Sequence, residues 1–303
     1  MALEQVYGMA LQDSDQVKIL HVVPGLDEIG NGIAVVAKLI AREQAAYLIE
    51  ARRFAAGEDD VSQYDEVWVH SAWLPIVFRS CKRVLKSGKH LVRMSHANYD
   101  PVRLAYHAWK KRLVSPIDRY YLRKADKVIA TCEAEADWIR DYESRIKSID
   151  VINLKRFFNL LSSPCPKLRC KPPLHILYLG RNHPLKGLEY LQQAVKDIEG
   201  VELRVVSNAF GEEKERVWDW CDVLVLPTLT ENFGLVIAEA LERGKRVITT
   251  DGAPAWCDGS DYGGRLTYLK GYRGGTKEQR VQIMKDAIEE IVRNINKAET
   301  SNA

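Results

Sequence analysis

Residues 228–250 read TLTENFGLVIAEALERGKRVITT and set two carboxylates, Glu231 and Glu239, eight positions apart around Gly234. The run DVLVLPT at 222–228 has the make-up of a buried strand, and LTENFG has that of a turn. A helix is then expected from about Gly234 to Arg243, with Gly244 as its C′ glycine. Such a helix leaves the backbone N–H groups of Phe233, Gly234 and Leu235 without intrahelical partners. That end suits a phosphate, and Gly234 lets a ligand approach the main chain closely. Two readings of the glutamates follow. In one, Glu231 is a capping carboxylate and Glu239 a solvated helix residue. In the other, the helix end holds a diphosphate while a carboxylate on the same face accepts hydrogen bonds from sugar or ribose hydroxyls.

A second group lies upstream. LHILYLGRNHPLKGLEYLQQAV, residues 174–195, reads as strand, loop and helix, with Arg181 and Lys186 placed around Pro184. Pro184 can begin a helix, so two cations flank the carboxyl end of the strand. By themselves they are solvated loop residues; beside an anion-binding helix end they form a clamp for a diphosphate leaving group. In the first half, PGLDEIGNGIAVVAKLIARE places Gly30 and Gly32 between a strand and a helix whose Ile33, Val36, Ala37 and Ile40 recur at helical spacing. This is no nucleotide P-loop, because Asn31 and Gly32 follow where Lys and Ser or Thr would stand, and the G-x-G-x-x-G fingerprint is also absent. VRMSHANYDP puts His96 just after a strand, either satisfied by backbone groups or facing a site.

A third stretch, residues 101–124, carries seven Lys or Arg, one acid (Asp118), and the aromatic residues Tyr106, Trp109, Tyr120 and Tyr121. A basic, aromatic-rich helix of this kind suits an anionic membrane surface, and the same composition suits RNA or a solvated face. The net charge of +3 is too small to argue for nucleic acid, and no nucleic-acid partner is expected.

The elements that must position these groups follow from the alternation of short β-rich runs with helical stretches, the pattern of α/β folds with parallel sheets. Six candidate strands precede LSSPCPKLRCKPP and five follow it. The four prolines of that segment exclude helix and central strand. The expected domains are residues 1–160, a linker at 161–173, and 174–303, ending in a helix over about 276–296. A chain of 303 residues is right for two such domains. The expected architecture is two doubly wound, Rossmann-like domains whose parallel sheets face a cleft, with ligands at the carboxyl ends of the strands. No apolar run approaches the ~18 residues of a membrane span, and MALEQVYGMALQDSDQ lacks the basic flank and apolar core of a signal peptide. The six cysteines show no paired spacing and read as reduced thiols of a cytosolic protein.

GRNHPLKG, followed by DVLVLPTLTENFGLVIAEALERGKRVITT, resembles the signature of GT-B glycosyltransferases of family 4, retaining enzymes that transfer a sugar from a nucleotide-sugar donor. Glu231 and Glu239 match the family's E-x7-E motif, and Arg181 and Lys186 match its diphosphate-binding cations. The resemblance implies the GT-B fold, a UDP- or GDP-linked donor, and neither metal nor cofactor. It implies that Glu239 holds the ribose and Glu231 meets the sugar hydroxyls. Asn232, Phe233, Gly234 and Leu235 then join the donor site, Gly30 and Gly32 form the glycine-rich loop beside the donor, and His96 is the strand-end histidine near its sugar. The implied acceptor is a cell-envelope glycan or a lipid-linked glycan, met by a cytoplasmic enzyme on the inner face of the membrane through 101–124.

The chain also departs from that family. NLKRFF replaces the usual Asn-Gly-Val-Asp, Asn232 stands at a usual glycine, and GAPAWCDGSDYGG lacks the usual acid. The region 201–222 is short by a strand-and-loop unit, which leaves Ser207 and Asn208 as the candidates for contact with the nucleobase. Two rival functions are a nucleotide-sugar epimerase of the same fold and a catalytically idle nucleotide-binding subunit.

Overall fold

The computed structural model describes residues 17–161, 173–207 and 209–300, the last of these from 296 onward by backbone alone. The chain divides into two bodies, one comprising residues up to 130 with 135–152, the other 131–134 with 153 onward.

The first body alternates strand and helix: β1 (Ile19–Val23), α1 (Gly32–Glu43), β2 (Tyr47–Glu50), α2 (Ala51–Ala56), β3 (Glu66–His70), α3 (Pro75–Lys86), β4 (His90–Met94), α4 (Pro101–Ala105), α5 (Ala108–Lys124), β5 (Lys127–Ala130), α6 (Glu133–Tyr142) and β6 (Ile149–Val151). All pairings are parallel, in the order β2-β1-β3-β4-β5-β6. The inner strands are apolar because helices cover both faces of the sheet, as parallel sheets require. Val22, Val67, Val69, Leu91 and Val128 are fully buried, and α3 lays Val77, Cys81 and Val84 on them. On the other side α1 buries Val36, Ala37 and Ile40 of the face its spacing predicts, with Ile33 half-buried and Ala34 and Ala41 added to it.

The second body contains β7 (Leu174–Leu179), α7 (Leu188–Val195), β8 (Val201–Val206), α8 (Gly211–Trp220), β9 (Val223–Leu226), α9 (Leu235–Glu242), β10 (Arg246–Thr250), β11 (Leu266–Leu269) and α10 (Lys277–Thr300). Its parallel order is β11-β10-β9-β7-β8. Renumbered from its own start, this is the order of the first sheet without its last strand. In each body the chain leaves its first strand for one neighbour and returns to the other side, so a switch point opens between β1 and β3 and another between β7 and β9. Such points leave a crevice at the carboxyl ends of the strands, where ligands of open α/β sheets bind.

The first of the expected boundaries lies elsewhere. Residues 153–160 group with the second body because they are tied to it: the Asn159 N–H donates to Glu242 Oε1 at 2.9 Å, Lys155 pairs with Asp258 at 2.6 Å, and Arg265 donates to the Leu160 carbonyl at 2.6 Å. The NLKRFF segment that departs from the family pattern is thus a clasp. Asn153 caps its 3-10 turn, and the Lys155 ammonium lies 4.9 Å above the Trp256 ring. The expected linker, apart from Leu161 and Pro173, lies outside the described residues, as do Cys165 and Cys170.

Candidate active site

In the second body the loops after β7 and β9 meet at the switch point. The loop after β7 is shaped by a 3-10 turn, Pro184–Lys186, capped by His183, whose Nδ1 accepts from the Leu185 N–H at 3.2 Å. Gly187 then turns the chain into α7 at φ +67°, and a Cβ there would lie 2.0 Å from the Pro227 carbonyl oxygen, so only glycine lets the two loops touch. The Leu229 N–H donates to the Leu185 carbonyl at 2.9 Å, locking them together. The Glu231 N–H donates to Gly252 at 2.8 Å, which adds the loop after β10.

That scaffold brings the predicted residues together. Lys186 forms an ion pair with Glu231 Oε2, both side chains being mostly buried at 13% and 16% exposure. Glu231 Oε1 accepts from the Asn232 N–H at 3.0 Å. The Glu231 side chain lies against Gly234, the residue at φ +73° that caps α9, since a Cβ at Gly234 would stand 3.2 Å from Glu231 Cγ. Glu231 therefore joins the Lys186 ammonium to the start of α9, whose first N–H groups have no partners within the helix. Arg181 is exposed just beyond β7, and its carbonyl accepts from the Tyr178 hydroxyl at 2.9 Å. The Phe233 ring is buried, stacked on Phe158 at 5.6 Å and tilted against Trp256 at 5.1 Å. Asn232 accepts from the Thr131 hydroxyl at 2.8 Å.

Glu239 is not a solvated helix residue. Lys214, on α8, lies 2.8 Å from its Oε1 and 2.7 Å from its Oε2, with both side chains 26% exposed. Oε2 is sealed from solvent and has no partner of hydrogen-bond geometry among the described residues. The Lys214 ammonium supplies the counter-charge that a largely buried carboxylate needs. Lys214 carried no local signal in the sequence, because its helix lies 25 residues upstream of Glu239. Ser207 is exposed at the end of the edge strand β8, away from the β7–β9 switch point; Asn208 lies outside the described residues.

In the first body, the loop before α1 that carries Gly30 is arranged by Asn31 and Glu50. Asn31 caps α1 by accepting from the Ile33 N–H at 3.1 Å and donates to the Pro24 and Gly25 carbonyls, both at 2.9 Å. Glu50 Oε2 accepts from the Leu26 N–H at 2.7 Å. Gly30, at φ +80°, and Gly32, the first residue of α1, are both exposed. His96 follows β4 with φ +56°, as does Ala97 after it, and Ser71 and Trp73 after β3 share that left-handed region. Backbone strain of this kind clusters where geometry is over-determined. Here Glu135 Oε1 does the holding, accepting from the Ser95 hydroxyl at 2.9 Å and from the Ala97 N–H at 2.5 Å. The His96 ring is buried, and its Nε2 lies 2.9 Å from His70 Nδ1. Burial, with Arg103 nearby, pushes its pKa down to about 3, so the ring is neutral at neutral pH.

The stretch 101–124 forms α4 and α5, separated at His107, which has φ +54°. Asp118 is fully buried, accepting from the Tyr99 hydroxyl at 2.7 Å and pairing with Arg93 at 3.4 Å. Lys111 is spent on the Arg103 and Tyr106 carbonyls, and Arg123 pairs with Glu143 at 2.7 Å. The outward face of α5 carries Trp109, Leu113, Ile117 and Tyr120, with Lys110, Arg112 and Lys124 exposed beside them. Among the described residues, no helix is long and apolar enough to cross a membrane, and no group of three metal-ligating side chains is found.

Two parallel sheets of one strand order, with a cation, a glutamate and a helix start gathered at the second switch point, define a GT-B glycosyltransferase architecture. A model of the glycosyl transferase 4-like domain matches residues 20–154, and a model of glycosyl transferases group 1 matches residues 150–267. The chain belongs to the group 1, family 4 type of GT-B glycosyltransferases. No curated protein matches it in sequence. Among solved structures it is similar to a sucrose-phosphate synthase from Thermosynechococcus elongatus, at 15% identity over 94% of this chain and 92% of that one, with a TM-score of 0.65. It is also similar to the lipopolysaccharide outer core galactosyltransferase WaaB in its apo form, at 16% identity over 91% of each chain and a TM-score of 0.54. A trehalose-6-phosphate synthase, from a study of glycosyl transfer with retention, matches at 12% identity over 94% of this chain and 97% of that one, with a TM-score of 0.56. At these identities the likeness is one of fold.

Proposed function

We propose that the protein moves a hexose from a UDP- or GDP-linked donor to a cell-envelope glycan or glycolipid, with retention and without a metal. The observation that carries this reading is the Lys186–Glu231 pair seated against the start of α9. Bound donor places its diphosphate on the α9 N–H groups and Lys186, with Arg181 free to swing in from its exposed position. These groups stabilise the charge that develops as the sugar departs. Glu239 receives the ribose hydroxyls, its carboxylate held in place by Lys214. Glu231 meets the sugar hydroxyls, and His96 is a second residue needed for transfer. The bond from the anomeric carbon to the phosphate oxygen breaks, the bond to the acceptor oxygen forms on the same face, and the acceptor proton passes to the departing diphosphate. The outward apolar stripe of α5, ringed by three cations, is the face that meets an anionic lipid surface.

A thermal-shift screen of nucleotide sugars tests the donor. A matched compound at a hundred times its dissociation constant adds about 2.7 kcal/mol of stability. Turnover is then measured with excess chelator. Loss of transfer that magnesium or manganese restores would overturn the metal-free assignment. Donor conversion with no acceptor present would make the protein an epimerase, and donor binding without any turnover an idle subunit.

A further inference from the structure

The short region between β8 and β9 leaves β8 at the edge of the second sheet. Among the described residues it pairs with β7 on one side and with no strand on the other. An unpaired edge offers a row of main-chain N–H and C=O groups, and proteins ordinarily blunt it by keeping the strand short or by placing proline in it. The other edge strands, β2, β6 and β11, have four, three and four residues. β8 has six, VELRVV, with neither proline nor glycine.

The ladder with β7 fixes which groups point outward. The Leu174 N–H donates to the Gly200 carbonyl at 2.8 Å, and the Gly180 N–H donates to the Val206 carbonyl at 3.0 Å. Bonding residues alternate along a strand, so Glu202, Arg204 and Val206 bond inward to β7. The N–H and C=O groups of Val201, Leu203 and Val205 therefore face away from the sheet. Side chains alternate as well, with Val201, Leu203 and Val205 on one face and Glu202 and Arg204 on the other. Glu202, Arg204 and Val205 are exposed, and Val201 and Leu203 are half-buried.

We propose that β8 pairs antiparallel with β8 of a second copy of this chain, about a two-fold axis at Leu203, joining two five-stranded sheets edge to edge. A two-fold contact needs a patch complementary to itself, and β8 is one. With Leu203 opposite Leu203 of the second copy, Val201 stands opposite Val205, and the outward groups of all three residues are paired. Glu202 then stands opposite Arg204 of the second copy, once on each side of the axis. These are the non-hydrogen-bonded positions, where side chains across an antiparallel pair lie closest. Moving the axis by one residue, to Glu202 or to Arg204, sets like charges face to face, which is destabilising. Charges on an edge ordinarily turn other strands away. Here the two signs flank Leu203 symmetrically, so they admit β8 itself in one register.

The test measures the mass of the full chain by sedimentation equilibrium across a dilution series at low salt, where exposed ion pairs are least screened. The wild type is expected to rise from 34.5 kDa toward twice that mass as concentration increases. Val205→Pro removes an outward N–H and no inward bond, a change that edge strands tolerate, and should weaken association about tenfold or more. Glu202→Arg alone opposes two arginines across the axis, and Arg204→Glu alone opposes two glutamates; each should weaken the dimer about tenfold or more. The two reversals together exchange the pair and should restore it. Thermal melting confirms that each variant is folded. A wild type with the mass of one chain at every concentration overturns the proposal. A dimer that Val205→Pro and both single reversals leave intact lies on another face and overturns it equally. Single reversals that the double exchange does not rescue refute the register.

Discussion

Lys186 and Glu239 occupy the same body, and their chemistry predicts opposite kinetic signatures. The charge that Lys186 meets grows as the sugar leaves, so its contribution is largest in the transition state. Lys186→Ala is expected to lower kcat about a hundredfold while changing the donor KM by no more than a few-fold. Steady-state kinetics decide it, and poor donor binding with a normal maximal rate would refute the clamp. Glu239 is expected to act in ground and transition states alike, because ribose hydroxyls do not change charge. Glu239→Ala should weaken nucleoside-diphosphate binding by roughly tenfold, in line with ~1.5 kcal/mol for a hydrogen bond to a charged group, and leave kcat nearly intact. Calorimetric titration checks it, and an unchanged affinity would return Glu239 to the service of Lys214 alone.

At the scale of elements, α5 shows how packing changes the meaning of a composition. The stretch is basic throughout, yet the fold turns its one acid inward to Arg93 and uses Lys111 and Arg123 to close neighbouring structure. What remains outside is an apolar stripe, with Trp109 63% and Leu113 71% exposed, beside Lys110, Arg112 and Lys124. An interfacial helix binds through apolar area plus attraction to anionic lipid, and salt screens the second part. Vesicles rich in anionic lipid are expected to co-sediment with the protein and to release it as salt rises. Replacing Lys110, Arg112 and Lys124 with Gln should abolish that binding without moving the melting temperature. Equal binding to neutral vesicles, or none to either kind, would show α5 to be ordinary solvated surface.

For the molecule as a whole, the buried and hydrogen-bonded histidines His21, His70 and His96 predict how stability depends on pH. In the folded chain His21 titrates near pH 4 and His96 near pH 3, below the ordinary 6.5. Between those values and 6.5 the unfolded chain therefore binds more protons than the folded one, and stability rises with pH. The contribution is complete above pH 6.5 and is lost as pH falls toward 4, at about 1.4 kcal/mol per pH unit for each ring. Urea midpoints measured from pH 7.5 down to pH 4.5 should fall steeply, and His21→Phe should flatten the decline. A midpoint independent of pH across that range would show the rings to be freely titrating.

The eleven strands and the long final helix were legible along the chain because each is a local pattern: an apolar run between turn residues, or a 3.6-residue period. The Glu231–Gly234–Leu235 helix start was legible for the same reason, since a turn, a glycine and an apolar face stand consecutively. Composition could not say which cations of 101–124 stay in water, because that depends on where Arg93 and Glu143 lie after folding. Nor could it find Lys214 beside Glu239, or Gln44 and two strand histidines behind His96. The hydrogen-bonded neighbours among them are 23 to 49 residues apart in sequence, and only the fold of each body sets them side by side. Sequence alone determined which residues carry charge and where each element begins; tertiary structure decided which charges are paired and which are buried, because those depend on neighbours that chain separation does not reveal.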